Sequence, residues 1–262
     1  MRFPSVVAAE LMKLRRSKVT WMTFAAYAFM AAMAGFFMWM MKNPGMARNL
    51  GLIGQKANFA FGGGATDWPA LLTFIVEMGG IGGLIMCSIV VAYIFGRDYT
   101  EGMAKNMLAL PIRRSSFVLG KIIVSAAWFA LLTLWIIGET WIVGSLLGLT
   151  GLTTGLFLAA AAKLLLLALM SFCCAVLVAW VAVETRGYFA PLGFSIFTLV
   201  LANVFGHTGW GPWVPWTIVG LYSGAAGPEV SLGWGSFAVI AMTFLIGTAL
   251  TSRHEVYADN VQ

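Results

Sequence analysis

The chain has 262 residues, of which 60% are hydrophobic and 10% charged, with a mean hydropathy of +0.89. A soluble domain carries about 25% charged residues, so water is the wrong solvent for most of this polypeptide. The net charge of +6 does not signal nucleic acid, because the sixteen Lys and Arg cluster beside apolar runs and no DNA- or RNA-binding motif accompanies them.

In chain order, the first eighteen residues carry Arg2, Glu10, Lys13, Arg15, Arg16 and Lys18 before any long apolar run, so no cleavable signal peptide is expected. Phe3, Val7, Leu11 and Leu14 recur at helical spacing with Glu10, Lys13 and Arg16 opposite. The pattern predicts an amphipathic helix at about 3–17 lying on the membrane surface; the simpler alternative is a basic flank that orients the first span. Apolar runs at about 19–41, 70–95, 117–147, 155–183, 188–206 and 232–252 predict six spanning helices in one all-α membrane domain covering 1–262. Twelve basic residues flank these runs on the side of the N-terminus, against Lys42, Arg48 and Lys56 on the other. The positive-inside rule then puts both termini in the cytoplasm of a bacterial inner membrane. Cys87, Cys173 and Cys174 all lie in apolar runs, so neither a disulfide framework nor a metal site is expected.

Between the second and third runs, Asp98 and Glu101 have capping-box spacing, and Glu101 and Lys105 form an i,i+4 pair. A helix is predicted to start at Asp98 and run to about 110, with Tyr99, Met103, Met107 and Leu110 on one apolar stripe. Pro111 stops it, and Arg113 and Arg114 follow at the membrane edge. The stripe requires cover, from this chain, from lipid or from a partner. Before the last run, Trp210, Pro212, Trp213, Pro215 and Trp216 predict short helices dipping into the outer leaflet, or alternatively an ordinary interfacial aromatic belt.

Glu77, Glu139 and Lys163 fall inside apolar runs, where a lone charge costs a few kcal/mol on insertion scales. Glu139 and Lys163 are equidistant from Gly151, so an antiparallel hairpin brings them level and predicts an intramembrane ion pair. Its role is either structural or functional, and Glu77 has no obvious partner. Gly79 with Gly83, Gly144 with Gly148, and Gly151 with Gly155 have the GxxxG spacing that lets helices approach closely. No P-loop is present, since Ser115 stands where the first glycine before Gly120-Lys121 is required. No GxSxG or HExxH motif appears either, so the chain is not expected to be an enzyme.

Three segments together resemble the ABC-2 type permeases, in particular the six-span subunits of bacitracin and lantibiotic export or self-immunity systems. The cluster Glu10, Lys13, Arg15, Arg16, Ser17 and Lys18 is similar to that family's elbow helix. The run from Gly96-Arg97-Asp98-Tyr99-Thr100-Glu101-Gly102 through Leu108-Ala109-Leu110-Pro111-Ile112-Arg113-Arg114-Ser115 to Gly120-Lys121 resembles its cytoplasmic coupling segment. Gly102-Met103 replaces the family's usual Gly-Thr. The Trp- and Pro-rich segment resembles its external re-entrant helices.

The resemblance implies two ATPase subunits carrying Mg-ATP, a second permease chain that is identical or homologous, contact with membrane lipids, and no cofactor on this chain. It also implies that the helix at 98–110 seats in the ATPase, with an amphipathic peptide antibiotic, drug or lipid-like molecule as the exported substrate. Two other classes remain open from the residues alone. One is an ATP-independent ion-coupled carrier or channel using Glu77, Glu139 and Lys163; the other is a membrane scaffold or assembly factor.

Overall fold

The computed structural model describes residues 3–49, 51, 66–102, 114–225 and 232–257. Its elements are α1 (Phe3–Arg15), α2 (Lys18–Lys42), α3 (Pro44–Asn49), α4 (Trp68–Thr100), α5 (Arg114–Leu146), α6 (Thr154–Glu184), α7 (Phe189–Gly206), a 3₁₀ turn (Gly211–Trp213), α8 (Pro215–Ser223) and α9 (Trp234–Tyr257). Six of these helices, α2, α4, α5, α6, α7 and α9, are long and apolar enough to cross a membrane. Their outward faces carry Trp21, Phe29, Leu134, Trp141, Leu158, Ile196 and Met242, all exposed. An apolar girdle of this extent suits hydrocarbon rather than water.

Two of the helices form the centre. α4 and α6 pack together along their length, with α5 closing one side and Phe95, Phe129, Leu71, Ile75 and Leu132 filling the space between. Glycine sets the approach: a Cβ at Gly79 would stand 2.9 Å from a Leu164 methyl, and one at Gly83 would contact Ser171 and Phe129. The other GxxxG pairs behave differently. Gly144 receives the Trp68 ring, whereas Gly148 and Gly151 adopt φ of +58° and +86° in the turn between α5 and α6. There, left-handed backbone rather than helix contact requires glycine.

At that same end of the bundle, Asp67 caps α4 by accepting from the Ala70 amide at 3.0 Å, and the Trp68 amide donates to the Thr150 carbonyl at 3.0 Å. At the end that carries α1, Gly96 lets the turn between α6 and α7 come close, since a Cβ there would lie 2.8 Å from the Gly187 carbonyl oxygen. His254 Nδ1 pairs with Glu184 Oε2 at 2.8 Å and ties α9 to α6 nearby.

α4 continues five residues past the apolar run that predicts it. With 33 residues it extends about 50 Å, against a hydrocarbon core of about 30 Å. The stop is Gly102 at φ +67°, following Glu101 as C-cap. Asp98, expected to begin a separate helix, therefore lies inside α4. Glu101 pairs backward with Arg97 at 2.8 Å rather than opening a new helix. Residues 103–113 lie outside the described residues.

A buried charge junction as candidate functional site

Where α1, α4 and α5 converge, four ionisable side chains meet, three of them buried and the fourth, Lys13, half-buried. Asp98 and Lys121 are each only 3% exposed, and Glu10 is 6% exposed. Lys121 Nζ stands 2.8 Å from Asp98 Oδ2, and Lys13 Nζ stands 3.3 Å from Oδ1 of the same carboxylate. Lys13 also bonds Glu10, one turn earlier on α1, at 2.7 Å. Two carboxylates and two ammonium groups thus neutralise one another, the condition under which buried charges persist. Lys121 lies in addition over the Phe95 ring, 5.3 Å from its centroid. Burial works against the Lys13 charge, but hydrogen bonding to Glu10 and the nearby carboxylates of Asp98 and Glu10 outweigh it and raise its pKa.

Backbone groups complete the junction. The last carbonyls of α1 have no partner within the helix. Arg97 Nη1 donates to the Lys13 carbonyl at 3.1 Å, and the Thr20 hydroxyl of α2 donates to that of Leu14. Arg97 itself leans over Tyr93, with its Nε bonded to Glu101. Close packing of α1 against α5 requires Gly120, where a Cβ would meet a Val6 methyl at 3.2 Å.

This arrangement revises the expected faces of α1. Val6, Glu10 and Leu14 are buried, whereas Phe3 and Leu11 point outward. Glu10 turns inward because its partner Lys13 bridges to Asp98, and the exposed apolar side chains need no protein cover beside lipid. Arg15 and Arg16 are exposed at the end of α1. Tyr99 packs on the core, and Gly102 closes α4. Met103, Lys105, Met107, Pro111 and Arg113 lie outside the described residues, and Arg114 opens α5. Lys121 and Arg97 enter the sequence reading only within the run that resembles the coupling segment, and nothing there pairs them with Asp98 or α1. The available signal was Lys121 itself, a lysine a few residues inside an apolar run and hence in need of a partner.

The charges at mid-helix do not pair as expected. Among the described residues, no ion pair joins Glu139 and Lys163, and Glu139 Oε2 is buried without a hydrogen-bond partner. The reason is α8, which packs beside α4 and α6 and presents Tyr222, over whose ring Lys163 Nζ lies at 5.7 Å. Glu77 is near the end of the same short helix, since a Cβ at Gly224 would stand 3.8 Å from its Oε1. α8 itself buries Thr217, Ile218, Val219, Leu221 and Ser223, and it abuts α4 where a Cβ at Gly80 would lie 2.4 Å from Ser223. Trp210 and Trp213 are exposed before it, Pro212 lies in the 3₁₀ turn, Pro215 opens the helix, and Trp216 is half-buried.

A family model for ABC-2 family transporter proteins matches residues 6–202, a stretch that includes every member of the charge junction. The bacitracin transport permease protein BCRB of Bacillus licheniformis is 24% identical over 174 residues, which cover 64% of this chain and 81% of that protein.

Proposed function

The chain belongs to the ABC-2 transporter family as a membrane permease subunit, and from that premise we propose that it exports an amphipathic molecule with ATP hydrolysed on separate subunits. Permeases of this family lack a catalytic ATPase domain and associate with ATPase subunits, in keeping with a sequence that has no P-loop. The complex proposed has two such subunits carrying Mg-ATP and a second permease chain, in a bacterial inner membrane with both termini cytoplasmic. Twelve basic residues against three support that orientation. α1 is then the elbow helix, 103–113 belongs to the coupling segment, and the 3₁₀ turn with α8 forms the external re-entrant element. A bacitracin-like peptide is the first substrate to try, given the name of the relative.

The observation that carries this reading is the junction. Asp98 lies just before residues 103–113 and Lys121 just after them, so their 2.8 Å pair clamps together the two helices that enter and leave that segment. Lys13 joins α1 to the same carboxylate. A force applied to the segment by an ATPase therefore moves α1, α4 and α5 as one body. Co-expression with a P-loop ATPase tests it: the wild-type chain co-purifies with the ATPase and exports substrate. Met107→Glu and Glu101→Lys leave the fold intact but uncouple hydrolysis from export. Unchanged export in both variants refutes the coupling role.

A further inference from the structure

Between α4, α7 and α8 the structure encloses a cleft of about 240 Å³. Ile81, Leu84 and Leu199 give it an apolar wall, and among the described residues no Asp, Glu, Lys or Arg lines it. Side chains able to hydrogen-bond include Asn203 and His207 toward the end of α7 and Trp216 on α8, while the Thr217 hydroxyl is already engaged with the Ala202 carbonyl at 3.4 Å. The Asn203 side chain is exposed and makes no hydrogen bond to any described residue, although it stands on a helix whose neighbouring outward residues are Ile196, Val200 and Val204. At 100° per residue, the lining stripe of Leu199, Asn203 and Gly206 is about a quarter turn from that outward stripe. The cleft therefore borders the surface that faces lipid and is reachable sideways from the bilayer.

We propose that this cleft binds one apolar chain of a lipid-like amphipath whose uncharged, hydrogen-bonding head rests on Asn203 and His207. The volume falls below the roughly 300–1,000 Å³ of drug-sized pockets, so it admits a single chain and excludes a folded peptide. No described residue lining the cleft carries a full charge to offset the desolvation of an ionic head, which favours an uncharged one. An unpaired carboxamide at the mouth gains from a hydroxyl or ester partner that hydrocarbon cannot supply. The inference rests on the membrane-embedded reading of the chain and not on its coupling to an ATPase.

The test uses the full chain in nanodiscs of phosphatidylcholine and phosphatidylglycerol, photolabelled with a monoacylglycerol that carries a diazirine in its acyl chain. A Cβ added at Gly220, a lining position, meets no heavy atom within 4 Å, so Gly220→Leu is chosen to extend into the cleft from an unobstructed start. The expected result is labelling at residues 199–207 and 216–225 that unlabelled monoacylglycerol competes away. Labelling falls about tenfold in Gly220→Leu at unchanged melting temperature, and Asn203→Leu weakens competition roughly three- to tenfold.

Labelling confined to Ile196, Val200 and Val204, or indifferent to Gly220→Leu, overturns the site. Equal competition by phosphatidic acid overturns the uncharged head. ATPase co-purification, measured in parallel, is unaffected by Gly220→Leu and so keeps failure of this site separate from failure of the permease reading.

Discussion

Replacing Asp98 by Asn deletes the carboxylate that two lysines share while keeping the side chain's size. Lys13 retains Glu10 at 2.7 Å, but Lys121, 3% exposed, loses its one carboxylate partner among the described residues. Breaking a buried pair in this one-sided way costs about 3–5 kcal/mol, because the remaining charge stays desolvated. For a chain of this size that corresponds to a fall in melting temperature on the order of 10 °C. Lys121→Met is milder, since Asp98 still has Lys13. The double variant Asp98→Asn with Lys121→Met recovers much of the loss by removing both charges at once, and the double-mutant cycle reports the coupling directly.

Thermal unfolding of the detergent-solubilised protein, followed by tryptophan fluorescence, measures all of these variants. The internal control is Glu101→Gln, whose partner contact with Arg97 is as short but whose side chain is 44% exposed. Such a surface pair is worth about 0–1 kcal/mol. If Asp98→Asn shifts the transition no more than Glu101→Gln does, the junction does not hold the three helices together and the force-transmission argument falls with it.

Gly96→Ala drives a Cβ to 2.8 Å from the Gly187 carbonyl oxygen, a backbone atom that cannot rotate away. It is expected to cost about 1–3 kcal/mol in the same melt, whereas Gly220→Ala, facing open space, is neutral or slightly stabilising. Glu139→Gln and Lys163→Met have additive effects on stability, each within roughly 2 kcal/mol, because the two side chains do not pair. A coupling energy above about 1 kcal/mol between them restores the hairpin ion pair. For topology, a cysteine placed at Gly45 reacts with a membrane-impermeant maleimide added to intact cells, and one at Arg253 does not. The reverse result inverts the proposed orientation.

Much of this architecture is legible without a structure, because hydrocarbon imposes a simple rule. Backbone groups must be satisfied within each helix, so apolar length alone announces α2, α4, α5, α6, α7 and α9. The charged edges of those runs were equally visible, but their meaning was not. Asp98 and Glu101 fit a capping box, and they fit as well the last turn of a long helix stopped by Gly102. The choice went to the second because α1 and α5 bring Lys13 and Lys121 to Asp98 and make continuation past the apolar run inexpensive. Likewise, hairpin symmetry correctly signals a short turn around Gly151 but says nothing about rotation around each helix axis, and α8 claims the side of α6 on which Lys163 points.

What the sequence determined by itself is therefore the membrane as solvent, the six helices long and apolar enough to cross it and the family to which the chain is similar, all of which depend on residues near one another along the chain. What only the tertiary structure decided is which charges meet. Asp98 and Lys13 are far apart in sequence, and their pairing follows from how three helices pack side by side. Partner choice for a buried charge depends on azimuth and depth together, and neither is set until the bundle has formed.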